Sequence, residues 1–148
     1  MEKASEGIQA VARKPVNRML PFDMNEDLPK EEQALELRKN RQGNCCQVVT
    51  AVLTQDPGLF QAASGCGGGM GNGRGPCGAL VGAVMAAGKA TQGQKTTGVS
   101  RRISEGFQEL SGSLICSELK GRDTGVMLCS CEDCIRNAIR AYEEVMNI

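Results

Sequence analysis

The sequence contains no histidine and no tryptophan. Without histidine there is no Cys–His nucleophile pair, no mixed cysteine–histidine zinc site and no histidine-ligated haem. Any metal site must then be built largely from sulfur. One Tyr and three Phe leave the interior to Leu, Val, Ile, Ala and Met. A core rich in Ala and Gly favours helices packed at short distance over a sandwich of β-branched strands. A surplus of one charge is missing too, since 17 Lys and Arg balance 17 Asp and Glu. Nucleic-acid binders carry a basic surplus with interleaved aromatics, so no nucleic-acid partner is expected. The longest apolar stretch, Ala79 to Ala87, is broken by Gly82 and is far too short to cross a bilayer. Charges at Glu2, Lys3 and Glu6, with no long apolar stretch after them, do not make a secretory signal. The expectation is a soluble, cytoplasmic protein without a membrane span.

What is present is cysteine, eight times in 148 residues. In a secreted mini-protein that count would imply a disulfide framework. Here the secretion signal is missing, and 41% apolar residues suffice for a core without covalent staples. In a reducing compartment such cysteines serve as metal ligands or redox groups.

Residues 1–30 read as an N-terminal arm and residues 31–148 as one helical domain. Within the arm, Ala4 to Arg13 suits a short helix carrying Ile8 and Val11, and Pro15, Pro21 and Pro29 then interrupt regular structure. Met19, Leu20, Phe22 and Met24 are apolar anchors for a neighbouring surface or subunit. A homodimer with Met19, Leu20 and Phe22 as contacts is therefore expected. A helix is predicted from Lys30, with Glu31 and Glu32 in its first turn and Gly43 ending or bending it. Asn44 is a good N-cap for a second helix through Val48, Val49, Val52 and Leu53, followed by a turn at Asp56-Pro57-Gly58. Leu59 to Ala63 suits one more helical turn. A glycine-rich loop leads through Pro76, placed at the first helical position, into a central buried helix with Gly78, Gly82 and four alanines on it. Thr91 to Thr97 reads as a loop. Val99, Ile103, Phe107 and Leu110 repeat at helical spacing, and so do Ile135, Ala138, Ile139 and Tyr142 in a last helix from Glu132 to Met146. Cys116 falls in a short connecting segment. No run of alternating character suggests a strand. The fold class is all-α, a small multi-helix bundle.

Gly73-Arg74-Gly75-Pro76-Cys77-Gly78 formally matches a dinucleotide fingerprint, but no strand precedes it and Pro76 removes an amide that would face a phosphate. The glycines instead let the backbone pass close to another group and offer it amides, with Gly67, Gly68, Gly69 and Gly75 the candidates. Cys45 and Cys77 lie at helix starts, where the positive end of the helix dipole favours the thiolate. Cys116 follows a helix, and Cys129, Cys131 and Cys134 cluster at the start of the last one. Cysteines at separate helix ends converge in a bundle, and thiolates so placed are the usual ligands of iron–sulfur clusters. Cys46 reads as a small buried apolar residue, and Cys66 suits either role. Cys131-Glu132-Asp133-Cys134 opens a helix rather than following a strand, which argues against a thioredoxin fold. It also lacks a second spaced pair to complete a zinc site.

The pattern resembles the C_GCAxxG_C_C family of redox-active proteins. The likeness runs over Asn44-Cys45-Cys46-Gln47, Gly65 to Gly71, Cys77 to Ala83, Gly112 to Leu119 and a cysteine opening the last helix. The resemblance implies redox activity, and related modules attached to split-Soret cytochromes look like iron–sulfur-binding domains. It places the family cysteines on Cys45, Cys77, Cys116 and one of Cys131 or Cys134, with Cys131 favoured by the spacing to Ile135 and Ala138. Cys46, Cys66, Cys129 and Cys134 are extras that would replace a ligand, support a second cluster or form a redox disulfide. The expectation is an electron-transfer protein with a cysteine-ligated [2Fe–2S] or [4Fe–4S] cluster and a donor or acceptor protein as partner. Its candidate ligands are Cys45, Cys77, Cys116, Cys131, Cys134 and Cys66. The alternatives are a metal-free thiol–disulfide oxidoreductase or sensor, and a structural zinc protein. No carboxylate pair or serine nucleophile points to a further catalytic activity.

Overall fold

The computed structural model describes residues 19–148. Among them are seven α-helices and no strand: α1 (Lys30–Lys39), α2 (Cys45–Thr54), α3 (Pro57–Ala62), α4 (Gly78–Ala90), α5 (Thr96–Ser111), α6 (Cys116–Lys120) and α7 (Cys131–Met146). A 3₁₀ turn at Ala63–Gly65 and a wide turn at Gly69–Gly73 carry the chain from α3 to α4. The expected helix over Ala4 to Arg13 lies outside the described residues.

Charge placement explains α1, where Glu31 and Glu32 sit in the first turn and Arg38 and Lys39 in the last, each opposing the helix dipole. Asn44 starts α2 with a reciprocal cap: its side chain accepts from the Gln47 N–H at 2.9 Å, and the Gln47 side chain accepts from the Asn44 N–H at 3.1 Å. The same Asn44 donates through Nδ2 to the Ser64 carbonyl at 2.9 Å, so one residue both begins α2 and holds the incoming loop. Asn44→Ala should lower stability by about 1–2 kcal/mol, read as a fall in the urea midpoint at unchanged slope. An unchanged midpoint would mean that the cap contributes nothing.

Helix α4 is the central element, with Ala79, Leu80, Ala83, Ala86 and Ala87 buried. It packs on α2, α5 and α7. At Gly82 an added Cβ would lie 2.8 Å from the Cys46 carbonyl oxygen and 3.0 Å from Val49 Cβ, so the α2–α4 crossing is as close as a glycine permits. The largest fully buried side chains come from α5 (Ile103, Phe107), α6 (Leu119), α7 (Ile135, Ile139) and α2 (Val48, Val49). The bundle and its central helix are as expected from the sequence.

Three local expectations are corrected. Pro76 does not take the first helical position: Cys77 is the N-cap of α4, and Pro76 forms an isolated antiparallel bridge with Ile115. Cys116 is not in a connecting segment but opens the short helix α6. Helix α5 starts at Thr96, inside the stretch read as loop, with Lys95 before it at φ +56°. Leu20, Phe22 and Met24 pack on the chain's own core, and the Phe22 ring meets Phe60 edge-on at 5.3 Å. Met19 is left 75% exposed.

Candidate functional site

A cavity of about 110 Å³ is lined by Cys45, Cys77, Cys116, Cys131 and Cys134 together with Arg38, Asn44, Gly68, Gly78 and Lys120. Four of these cysteines stand at the N-terminal ends of four helices. Cys45 is the first residue of α2, behind the Asn44 cap. Cys77 caps α4, and its N–H donates to the Leu114 carbonyl at 2.7 Å. Cys116 opens α6, with its N–H donating to the Gly75 carbonyl at 3.1 Å. These two bonds flank the Pro76–Ile115 bridge and pin the entries of α4 and α6 side by side. Cys131 opens α7 behind Ser130, whose hydroxyl accepts from the Asp133 N–H at 3.1 Å. Cys134 follows one turn later and is buried, whereas Cys131 is exposed.

The thiols differ in how readily they ionise. Cys77 is drawn below the ordinary cysteine range, first by a side-chain hydrogen bond from Cys134. Burial opposes this shift, while the Leu80 and Ala79 amides and the Lys120 charge assist it. Cys134 is pushed up as the partner that keeps the proton, with burial adding to the effect. Cys45 was expected to be lowered by its helix end, but burial raises it and outweighs the hydrogen bond from the Gly68 amide. Cys116 is raised by burial as well. Burial works against the charge of Lys120, yet its hydrogen bond to Cys131 and the nearby cysteine charges leave the ammonium above its ordinary value. Lys120 Nζ also lies 3.8 Å from Cys134 Sγ and 3.3 Å from the Cys129 carbonyl oxygen.

A titration of metal-free protein should therefore show a thiolate appearing below the ordinary cysteine range in the ultraviolet thiolate absorbance. Cys134→Ala should move this step upward, because it removes the largest cause of the shift. An unmoved step would assign the low-pH thiolate to another cysteine.

The glycines act mainly by close approach. Gly68, at φ +60°, lines the cavity and is the one that offers its amide to a cysteine sulfur. An added Cβ would fall 2.6 Å from Asn44 Cγ at Gly67 and 2.6 Å from Cys116 Cβ at Gly69. Gly75 contributes the carbonyl that receives Cys116. Cys66 lines no part of the cavity. Cys46 is fully buried, as expected, and its Sγ lies 3.9 Å from Met85 Sδ. Cys129 is buried beside the site, with Asn137 Nδ2 3.6 Å from its sulfur. Sequence reasoning passed over Lys120 and Arg38. Lys120 carried a legible signal, standing four residues after Cys116 on the same helix. Arg38 carried none.

The donors suit an iron–sulfur centre in kind, being thiols at the amide-rich ends of helices with two cations among them. Among the described residues, no three His, Cys, Asp or Glu are grouped as a single metal ion requires. A tetrahedral Zn–S₄ site would need its sulfurs roughly 3.8 Å apart. The cysteines ring the cavity instead of meeting at one point.

Fold and cavity together define an all-α protein with a cysteine-lined site. The chain belongs to the C_GCAxxG_C_C family: the model of that family, described as "Putative redox-active protein (C_GCAxxG_C_C)", matches residues 42–145. No curated protein and no solved structure gives a significant match to the chain. Among the described residues, no helix is long and apolar enough to cross a membrane.

Proposed function

We propose that this redox-active family member binds an iron–sulfur cluster in the cysteine-lined cavity and works in electron transfer. The observation that carries the reading is the delivery of Cys45, Cys77, Cys116 and Cys131 from four helix ends into one cavity. These four are the proposed ligands, with Cys134 as the one that can replace Cys131. Bound there, a cluster would supply one-electron redox chemistry. The residues around it have separate tasks. Lys120 and Arg38 offset thiolate charge, the Ala79 and Leu80 amides hold the Cys77 sulfur, and Gly68 holds that of Cys45. Cys131 and Arg38 also line an open groove of about 860 Å³ between α1 and the start of α7, which also carries Glu32, Glu36, Glu132 and Arg136. A donor or acceptor protein would approach the site most closely along this groove.

Anaerobic reconstitution with iron and sulfide tests the reading. The expected product is brown, with sulfur-to-iron absorbance bands and bound iron and sulfide in stoichiometric amount. A colourless, iron-free product would overturn it.

The contact between Cys77 and Cys134 favours a second reading, a metal-free dithiol oxidoreductase. A low-pKa thiol at a helix start beside a buried thiol that keeps its proton is a nucleophile with a resolving partner. This reading predicts a reversible Cys77–Cys134 disulfide in metal-free protein, read by non-reducing peptide mapping and lost in either single variant of the pair.

A further inference from the structure

The cavity leaves Cys46 and Cys66 unused, and these two are neighbours. Cys46, the second residue of α2, is fully buried. Cys66 is a neighbour of its thiol, and Met85 borders it on another side, its Sδ 3.9 Å from Cys46 Sγ. Cys66 is half-buried, at the end of the 3₁₀ turn where the glycine-rich loop begins. The approach is built in by polar side chains. Asn44 Nδ2 donates to the Ser64 carbonyl at 2.9 Å, and Gln47 Nε2 donates to the Phe60 carbonyl at 3.2 Å. Both fasten the segment before Cys66 to the first turn of α2. From the other side, the Cys66 carbonyl oxygen lies against Gly78, where an added Cβ would come within 2.9 Å of it. Cys66 is thus held by its backbone on two sides, beside Cys46 and outside the lining of the cavity.

The geometry points to Cys46 and Cys66 as a second redox site, a dithiol that closes to a disulfide by exchange with small, glutathione-type disulfides. The half-buried Cys66 is the sulfur that such a molecule can reach. Its thiolate, the proton having gone to solvent, attacks one sulfur of the small disulfide and releases one small thiolate. Cys46 then attacks Cys66 Sγ in the mixed disulfide, passing its proton to the second departing small thiolate. Two protein thiols are oxidised, one small disulfide is reduced to two thiols, and two electrons are transferred. Full burial of Cys46 keeps the small disulfide from reacting there, so exchange begins at Cys66. The closed bond would tie the loop to α2 and hold the Gly68 amide on Cys45. The assignment itself does not rest on the iron reading.

The test is incubation of the full chain with excess oxidised glutathione, alkylation of remaining thiols and non-reducing peptide mapping. Trypsin leaves Cys45, Cys46 and Cys66 together between Arg41 and Arg74, so a second cut after Leu59 or Phe60 is needed. A Cys46–Cys66 link is expected in the natural chain and in Cys45→Ser, and its loss in Cys66→Ser. Cys66→Ser should also take up as much iron on reconstitution as the natural chain. Both residues recovered as alkylated thiols, Cys66 trapped as a mixed disulfide, or a link to Cys45 that vanishes in Cys45→Ser would each overturn the assignment. So would loss of iron in Cys66→Ser, which would make Cys66 a ligand. Failure of every variant to take up iron would count against the cluster alone, because the peptide map is read without metal. Cys46→Ala is the second variant, and its folding is checked by circular dichroism.

Discussion

Cys77→Ser is expected to reduce bound iron after anaerobic reconstitution by roughly tenfold or more while leaving the helical circular-dichroism signal intact. The reason lies in what the sulfur provides. The Ala79 and Leu80 amides and Lys120 all favour a negative charge at this one atom. A serine hydroxyl does not ionise in this range, so the anionic donor disappears although the shape barely changes. Cys45→Ser and Cys116→Ser should act in the same direction. Cys129→Ser, at a buried sulfur outside the cavity, should retain iron. This pattern also separates the two functional readings. In a dithiol mechanism Cys77→Ser and Cys134→Ser are equally damaging, whereas Cys45→Ser and Cys116→Ser leave the Cys77–Cys134 disulfide untouched. Full iron loading of Cys77→Ser would remove the proposed ligand set.

Much of this site could be read from the sequence because its determinants are local. Asn44 and Gln47 stand at cap spacing, so the start of α2, and with it the place of Cys45, follows from four residues. The stripe Ile135, Ala138, Ile139, Tyr142 fixes α7 and puts Cys131 at its beginning. What could not be read is which sulfur meets which. Cys131 and Cys134 look like a natural pair in sequence, yet the first is exposed and the second turns inward to Cys77. That choice depends on the packing of α7 on α4, which no local pattern encodes. Cys66 is similar. Its position in a glycine-rich loop leaves either role open, and its place beside α2 depends on the distant bonds of the Ser64 and Phe60 carbonyls to Asn44 and Gln47. The expected lowering of Cys45 failed for a related reason, since a helix end is visible in sequence and burial is not.

Gly78→Ala should destabilise the protein by about 1–3 kcal/mol and lower its iron uptake at the same time. Alanine is the better helix former, so propensity alone predicts the opposite sign. The space around Gly78 decides the matter. An added Cβ would collide with Cys45 Sγ on one side, and on the other would lie 2.9 Å from the Cys66 carbonyl oxygen and 3.0 Å from Gly67 Cα. Two of these neighbours are backbone, so relief has to come from movement of the Cys45 sulfur or of the loop that carries Gly67 and Gly68. Either movement displaces a group that lines the cavity. Gly88 supplies the internal comparison, since it lies in the same helix and an added Cβ there would meet nothing within 4 Å. Gly88→Ala should stabilise by about 0.5–1 kcal/mol and leave iron uptake unchanged. Opposite signs for two identical substitutions in one helix, read from denaturant midpoints, would show that close packing at Gly78 rather than helix propensity sets the geometry of the cysteines. Equal, stabilising shifts would mean that the loop yields freely and that Gly78 has no part in shaping the site.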